Sequence, residues 1–245
     1  QNFEADLQAV LRGKEISRPV DDIVSEVAGA AADGVVEVTL LGQNVNSYGR
    51  DLAGDERTDF ATLLRAAGHV DGIDRLRYTS PHPKDMKRDV IAAMAETPAV
   101  CEHLHLPAQS GSTRILKAMR RTYDRGRYLD LVARLRDAIP ELSLTTDLIV
   151  GFPGETEDDF AQTLSLVEEC AFDGAYTFLY SPRPGTEAFE RMQDDVSPEA
   201  KRNRMARLVA TVQRTGKVPS SPGIQASITA VSVLPGCNGT FTLSA

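Results

Sequence analysis

TTDLIVGFPGETEDDF, residues 145–160, is the stretch on which the fold turns. It reads as a buried strand, a Gly-Pro turn and an acidic helix start. Thr156 and Asp159 form a T-x-x-D capping box, and Glu157 and Asp158 complete a first turn suited to the positive end of a helix dipole. Those carboxylates would repel a phosphate, so the junction is neither a P-loop nor a dinucleotide fingerprint. Two readings stand side by side. One is a capped strand-to-helix turn without a ligand. The other is a backbone platform for an uncharged or cationic ligand, such as an adenine ring or a sulfonium cofactor. The continuous apolar run 148–150 predicts a strand covered on both faces.

Outward from this junction, short apolar runs recur: VVEVTLL (35–41), LRYTS (76–80), HLHLP (103–107), LSLTTDLIV (142–150) and AYTFLY (175–180). Segments of helical periodicity lie between them, such as the stripe of Leu131, Val132, Leu135 and Ile139 and that of Phe160, Leu164 and Val167. Strands alternating with helices of this length predict right-handed βαβ units and a parallel sheet, as a partial (β/α) barrel or a doubly wound fold. In either, chemistry gathers at the carboxyl ends of the strands. GQNVN, PHP, AQSGS, GFPGET and SPRPGT all stand at such exits, and one shared site is expected there.

Three groups of side chains are candidates. The amides of Gln43, Asn44 and Asn46 are ordinary loop residues or a set that holds the amino and carboxylate groups of an amino-acid-like ligand. Cys101, His103 and His105 alternate along a strand, so same-face neighbours lie roughly 7 Å apart. That is wide for one small metal ion; inward-facing polar residues are expected, and no metal ligand is assigned. Arg114, Lys117, Arg120 and Arg121 form either a solvated basic face or an anion or RNA contact.

Composition sets the bounds. The chain has 245 residues, 42% hydrophobic and 25% charged, with a net charge of −8. It is an ordinary globular composition that excludes a globally basic nucleic-acid binder and leaves local basic patches open. Cys101, Cys170 and Cys237 make no disulfide framework. The opening QNFEADLQAV has no secretory pattern and no apolar run is long enough for a membrane helix, so a reducing cytoplasm is expected. Residues 218–245 hold no Asp, Glu, Lys or Arg. A boundary is therefore expected near Gly216, with 1–10 a leader, 11–215 the barrel and 216–245 a tail that forms no domain. Val231, Val233 and Leu234 could supply one strand.

LRGKEISRP, EVTLLGQNVNSYG, RYTSPHP, HLHLPAQSGS, TTDLIVGFPGETEDDF and YSPRPGT, in this order, resemble the radical S-adenosylmethionine methylthiotransferases over residues 11–213. GQNVNSYG and TSPHP are most similar to the branch of tRNA 2-methylthio-isopentenyladenosine synthases (MiaB type). The resemblance implies a partial parallel (β/α) barrel of the radical S-adenosylmethionine type, S-adenosylmethionine and 4Fe-4S cofactors, and a tRNA partner. The implied reaction adds a methylthio group to C2 of isopentenyl-adenosine beside the anticodon. It also implies that Gly42, Gln43 and Asn44 receive the methionine part of the cofactor. Gln109 and Ser110 then stand near its ribose, and Ile149 and Gly151 form the adenine platform.

The sequence departs from the family where CxxxCxxC precedes RGKE, because FEADLQAV stands there without a cysteine. An iron-sulfur cluster needs thiolates at close quarters. The first barrel strand is also missing from the resemblance, which predicts an exposed sheet edge. The expectation is a form of such an enzyme truncated at both ends and inactive by itself. The alternative is a short paralogue that binds S-adenosylmethionine or RNA without catalysis. An unrelated barrel enzyme fits the ordered motifs least.

Overall fold

In the computed structural model the run around residue 148 forms a strand, Ser143–Val150, whose burial alternates residue by residue. Leu144, Thr146, Leu148 and Val150 are fully buried, whereas Thr145, Asp147 and Ile149 are only half-buried. The expectation of a strand covered on both faces is thus corrected. One face packs under helices; on the other the neighbouring strand leaves Tyr176 and Phe178 exposed beside Asp147 and Ile149.

The structure describes residues 16–54, 57–216, 228–232 and 241–243. Its strands are β1 (Glu37–Leu41), β2 (Arg75–Tyr78), β3 (His103–His105), β4 (Ser143–Val150), β5 (Gly174–Leu179), β6 (Ile228–Ser232) and β7 (Phe241–Leu243). Its helices are α1 (Val20–Ala32), α2 (Phe60–Gly68), α3 (Arg88–Glu96), α4 (Thr113–Ala118), α5 (Arg125–Ala138), α6 (Glu157–Cys170), α7 (Glu187–Arg191) and α8 (Pro198–Thr215). Each apolar run read from the sequence is a strand, and helices separate them. The strands form two sheets, ordered β2-β1-β6-β7 and β3-β4-β5, with β1–β2, β1–β6 and β4–β5 parallel. This is the partial (β/α) arrangement expected.

By compactness the chain divides into two units interleaved in sequence. One contains residues 106–134 and 143–216; the other contains 16–105, 135–142 and the strands beyond 219. In the second unit Glu37 is buried at the start of β1 and accepts hydrogen bonds from both Arg75 and Arg77 of β2. One carboxylate shared by two arginines pins the β1–β2 register, Glu37↔Arg75. Burial pushes the Glu37 carboxyl up, but the two arginines outweigh it and hold the group below its usual range. Phe60 of α2 meets Tyr78 of β2 edge to face at 5.1 Å, and α1 buries Ile23 and Val27.

The expected open edge is not open. β6 pairs in parallel with β1 from Glu37↔Ile228 to Leu41↔Ser232, and β7 pairs antiparallel with β6. The physical reason is that an edge strand carries a row of unsatisfied backbone groups, which a β-rich segment of the same chain can pair. Val231 lies in β6; Val233, Leu234 and Cys237 lie outside the described residues, as do residues 1–10.

In the first unit β4 and β5 run in register from Thr145↔Gly174 to Val150↔Leu179. The buried Tyr128 donates its hydroxyl to the Leu106 carbonyl at 2.7 Å and packs near Phe172. Helix α6 begins at the predicted capping box, with both reciprocal bonds made, and ends at Ala171 in the left-handed region. No helix of the described residues is long and apolar enough to cross a membrane.

Candidate functional site

The GFPGET turn is held from three sides within the first unit. Gly151 has φ +76, a conformation that favours glycine, and its N–H donates to Glu155 Oε2 at 2.8 Å. The same oxygen accepts from Arg204 Nη1 of α8 at 2.8 Å, and Arg204 also donates to the Glu155 carbonyl at 3.1 Å. Glu155 and Arg204 are both buried. Burial pushes the Glu155 carboxyl up, against the opposing pull of the Gly151 N–H and Arg204. Its second oxygen, Oε1, is buried without a hydrogen-bond partner among the described residues.

The other carboxylates of the junction are similarly engaged. Glu157 pairs with Arg204 and Arg207. Asp159 accepts from Arg114, from Ser112 Oγ at 2.6 Å and from the Thr156 N–H at 2.9 Å. The acidic helix start is therefore largely neutralised by arginines from α4 and α8, which the capping-box reading alone does not reveal. Lys201 of α8 lies over Gly151, since a Cβ there would meet its Cγ at 2.5 Å, and its ammonium pairs with Asp194 at 2.7 Å.

Leu106 and Gln109 bond along the other edge of β4. The Gln109 N–H donates to the Asp147 carbonyl at 2.8 Å and the Ile149 N–H to the Gln109 carbonyl at 2.9 Å. Gln109 has φ +65, an uncommon conformation for a non-glycine residue, and its side-chain amide makes no hydrogen bond among the described residues. Ser110 is buried, with its hydroxyl 3.4 Å from Thr163 Oγ1 and accepting the Ser112 N–H at 3.2 Å. Gly111 sits against the α6 backbone: a Cβ there would meet Gln162 O at 2.3 Å. Gly111→Ala is therefore expected to destabilise the chain by about 1–3 kcal/mol through overpacking, read as a lower urea midpoint.

The structure brings Gln109, Ser110, Ile149 and Gly151 into the first unit, with Gln109 and Ile149 directly bonded. Gly42, Gln43 and Asn44 belong to the second unit, where they follow β1. Gln43 is half-buried and Asn44 exposed. The Asn44 carbonyl accepts the Ser47 N–H at 2.7 Å, opening a 3-10 turn over Val45–Ser47. Asn46 is structural. It donates to the His82 carbonyl at 2.9 Å and accepts the His82 N–H at 2.8 Å, which ties the GQNVN and PHP exits together.

His103 is exposed and Leu104 between the histidines is buried. In the basic row Arg114 pairs with Asp159 and Arg120 with Glu187. Lys117 remains exposed and unpaired among the described residues. The sequence reading missed Glu155, Arg204 and Thr163. The spacing of Glu155 four residues after Gly151 was a local signal; Arg204, 49 residues further on, gave none.

In the first unit Gln109, whose side-chain amide makes no hydrogen bond among the described residues, adjoins Ile149, which in turn neighbours the exposed Phe178. An iron-sulfur cluster does not fit the described residues. Cys101 is half-buried, Cys170 is buried, and no group of three or more His, Cys, Asp or Glu is placed to hold a metal ion.

The chain is 58% identical over 204 residues to a tRNA-2-methylthio-N(6)-dimethylallyladenosine synthase of Acidothermus cellulolyticus, covering 83% of this chain and 40% of the relative. It is 55% identical over 215 residues to a Mycobacterium marinum protein of that name, synthase 1, covering 83% and 40%. The chain thus spans about 40% of the length of these curated relatives. Among solved structures, the radical SAM coproporphyrinogen III oxidase of Escherichia coli matches with a TM-score of 0.55 at 18% identity, covering 81% of this chain and 45% of that one. Streptococcus suis SuiB, bound to its precursor peptide, matches at 0.53 and 14%, covering 91% and 55%. The family model of the Radical SAM superfamily matches residues 5–167, two thirds of the sequence, and the chain belongs to that superfamily.

Proposed function

We propose that this chain is the barrel portion of a tRNA methylthiotransferase, acting on C2 of N6-dimethylallyladenosine beside the anticodon. The observation that carries this reading is the 58% identity over 204 residues to a synthase of that name. S-adenosylmethionine is the proposed cofactor, with Gly42, Gln43 and Asn44 on its methionine part, Gln109 and Ser110 at the ribose, and Ile149 and Gly151 at the adenine. Within the first unit Gln109 offers its side-chain amide, and Ile149 offers apolar surface to the ring. Ser110, whose hydroxyl is engaged with Thr163 and Ser112, contributes through its backbone. The Glu155–Arg204 pair fixes the turn at Gly151. The partner is tRNA and the setting the cytoplasm.

The family's cluster supplies the reductive chemistry, and the described residues offer no ligand set for it. The described residues are therefore proposed to position ligands without turning over. Calorimetric titration with S-adenosylmethionine should detect weak binding that Gln109→Ala reduces about five- to tenfold, the scale of one net hydrogen bond. No detectable binding would remove the cofactor assignment. Anaerobic reconstitution with iron and sulfide should leave the protein colourless and yield no 5′-deoxyadenosine. A stoichiometric brown cluster with turnover would overturn the reading of a positioning chain.

A further inference from the structure

Strand β1 is held differently along its two sides. Toward β2, the buried Glu37 pairs with Arg75 and Arg77, so charge pairing reinforces the backbone ladder. Toward β6, no side-chain ion pair can form with the strand's own segment, because residues 218–245 hold no Asp, Glu, Lys or Arg. The seam there is a parallel ladder from Glu37↔Ile228 to Leu41↔Ser232. β6 pairs in turn with the short β7, from Ile228↔Leu243 to Ala230↔Phe241.

Val38 and Leu40 are fully buried, so the core fixes β1 whichever strand lies beside it. The main-chain groups along its outer edge need partners, and a backbone ladder does not distinguish which chain supplies them. Selectivity comes from the residues at each register position. Ile228 stands opposite Glu37. An uncharged residue there leaves the carboxylate to its two arginines, whereas an acidic one would set like charges side by side. Ile228, Thr229 and Val231 are β-branched, which suits a pleated strand.

We propose that the outer edge of β1 is a strand-addition site specific for an uncharged parallel strand. β6 occupies it in cis, and once vacated it takes a strand of the same sequence supplied in trans. The assignment is independent of the proposed cofactor and reaction. A tethered strand has a local concentration on the order of millimolar, so β6 masks the site from free strands below that level.

The test uses the full chain and a fluorescent peptide of residues 226–234. Ala230→Pro in the chain removes a main-chain N–H from the middle of β6 and should vacate the edge. This variant should bind the peptide at least about tenfold more tightly than the unaltered chain, whose edge is filled. Amide exchange in β1 should quicken in the variant and slow again with the peptide. A peptide carrying Ala230→Pro should bind neither chain, which separates ladder formation from hydrophobic adhesion. A peptide carrying Ile228→Glu should bind the variant about fivefold more weakly. If the variant loses its circular dichroism, saturating peptide should restore it. No binding to the variant, equal binding by both chains, or no recovery of the lost fold would overturn the proposal. So would binding that survives proline in the peptide, or β1 amides that the peptide leaves unprotected. Undiminished binding of the Ile228→Glu peptide would overturn the specificity for an uncharged strand.

Discussion

Arg204→Ala is expected to destabilise the chain by about 3–5 kcal/mol, because it strands a buried carboxylate. The Glu155 side chain is 1% exposed and that of Arg204 9%, so neither charge can turn to water when its partner is lost. Arg204 also caps the Glu155 carbonyl and reaches Glu157, contacts that no neighbouring side chain replaces. Urea unfolding gives the loss directly. A second variant separates charge from packing. The double replacement Glu155→Gln with Arg204→Met removes both charges, keeps an acceptor for the Gly151 N–H and preserves much of the volume. It should recover a substantial part of the loss, since a buried pair exchanged for neutral groups is often near neutral. A loss below about 1 kcal/mol for Arg204→Ala would mean that water reaches Glu155 and that the pair is not closed.

Asp159→Ala should cost about 2–4 kcal/mol. It removes the N3 half of the capping box, leaves the buried Ser112 hydroxyl without its acceptor, and releases Arg114 from α6. The Arg114 contact adds little of this, because its side chain is 57% exposed. The pH dependence has a definite sign. Burial raises the Asp159 carboxyl, but hydrogen bonds from Arg114, Ser112 and Thr156 outweigh it and hold the group well below its ordinary value of 3.8. A depressed folded-state pKa stabilises the fold above the unfolded value and loses that contribution as pH falls through the folded one. The gap in urea midpoint between the unaltered chain and Asp159→Asn should therefore stay constant from neutral pH to about 4 and narrow below it. A gap that widened on acidification would contradict the assignment.

The alternation of apolar runs with helical stripes was legible in the sequence, because strand and helix periodicities are carried by near neighbours. So was the cap of α6: Thr156 and Asp159 are three residues apart, and their bonds form whenever that turn forms. The strand exits were legible for the same reason, as turn residues mark where periodicity stops. Three other features depend on what arrives from far along the chain. Glu155 closes on Arg204 across 49 residues, and Asp159 on Arg114 across 45, so an apparently free acidic helix start became a set of ion pairs. The open face of β4 was set by β5, which places exposed Tyr176 and Phe178 where cover was expected. The edge of β1 was filled by β6, from a segment where Val231 pointed to a strand but nothing in the sequence named its partner. Hydrogen bonds and charge pairing act over a few ångströms, so sequence specifies them only where the partners are neighbours in the chain. Elsewhere the fold chooses among chemically equivalent partners, and only the tertiary structure says which one is near.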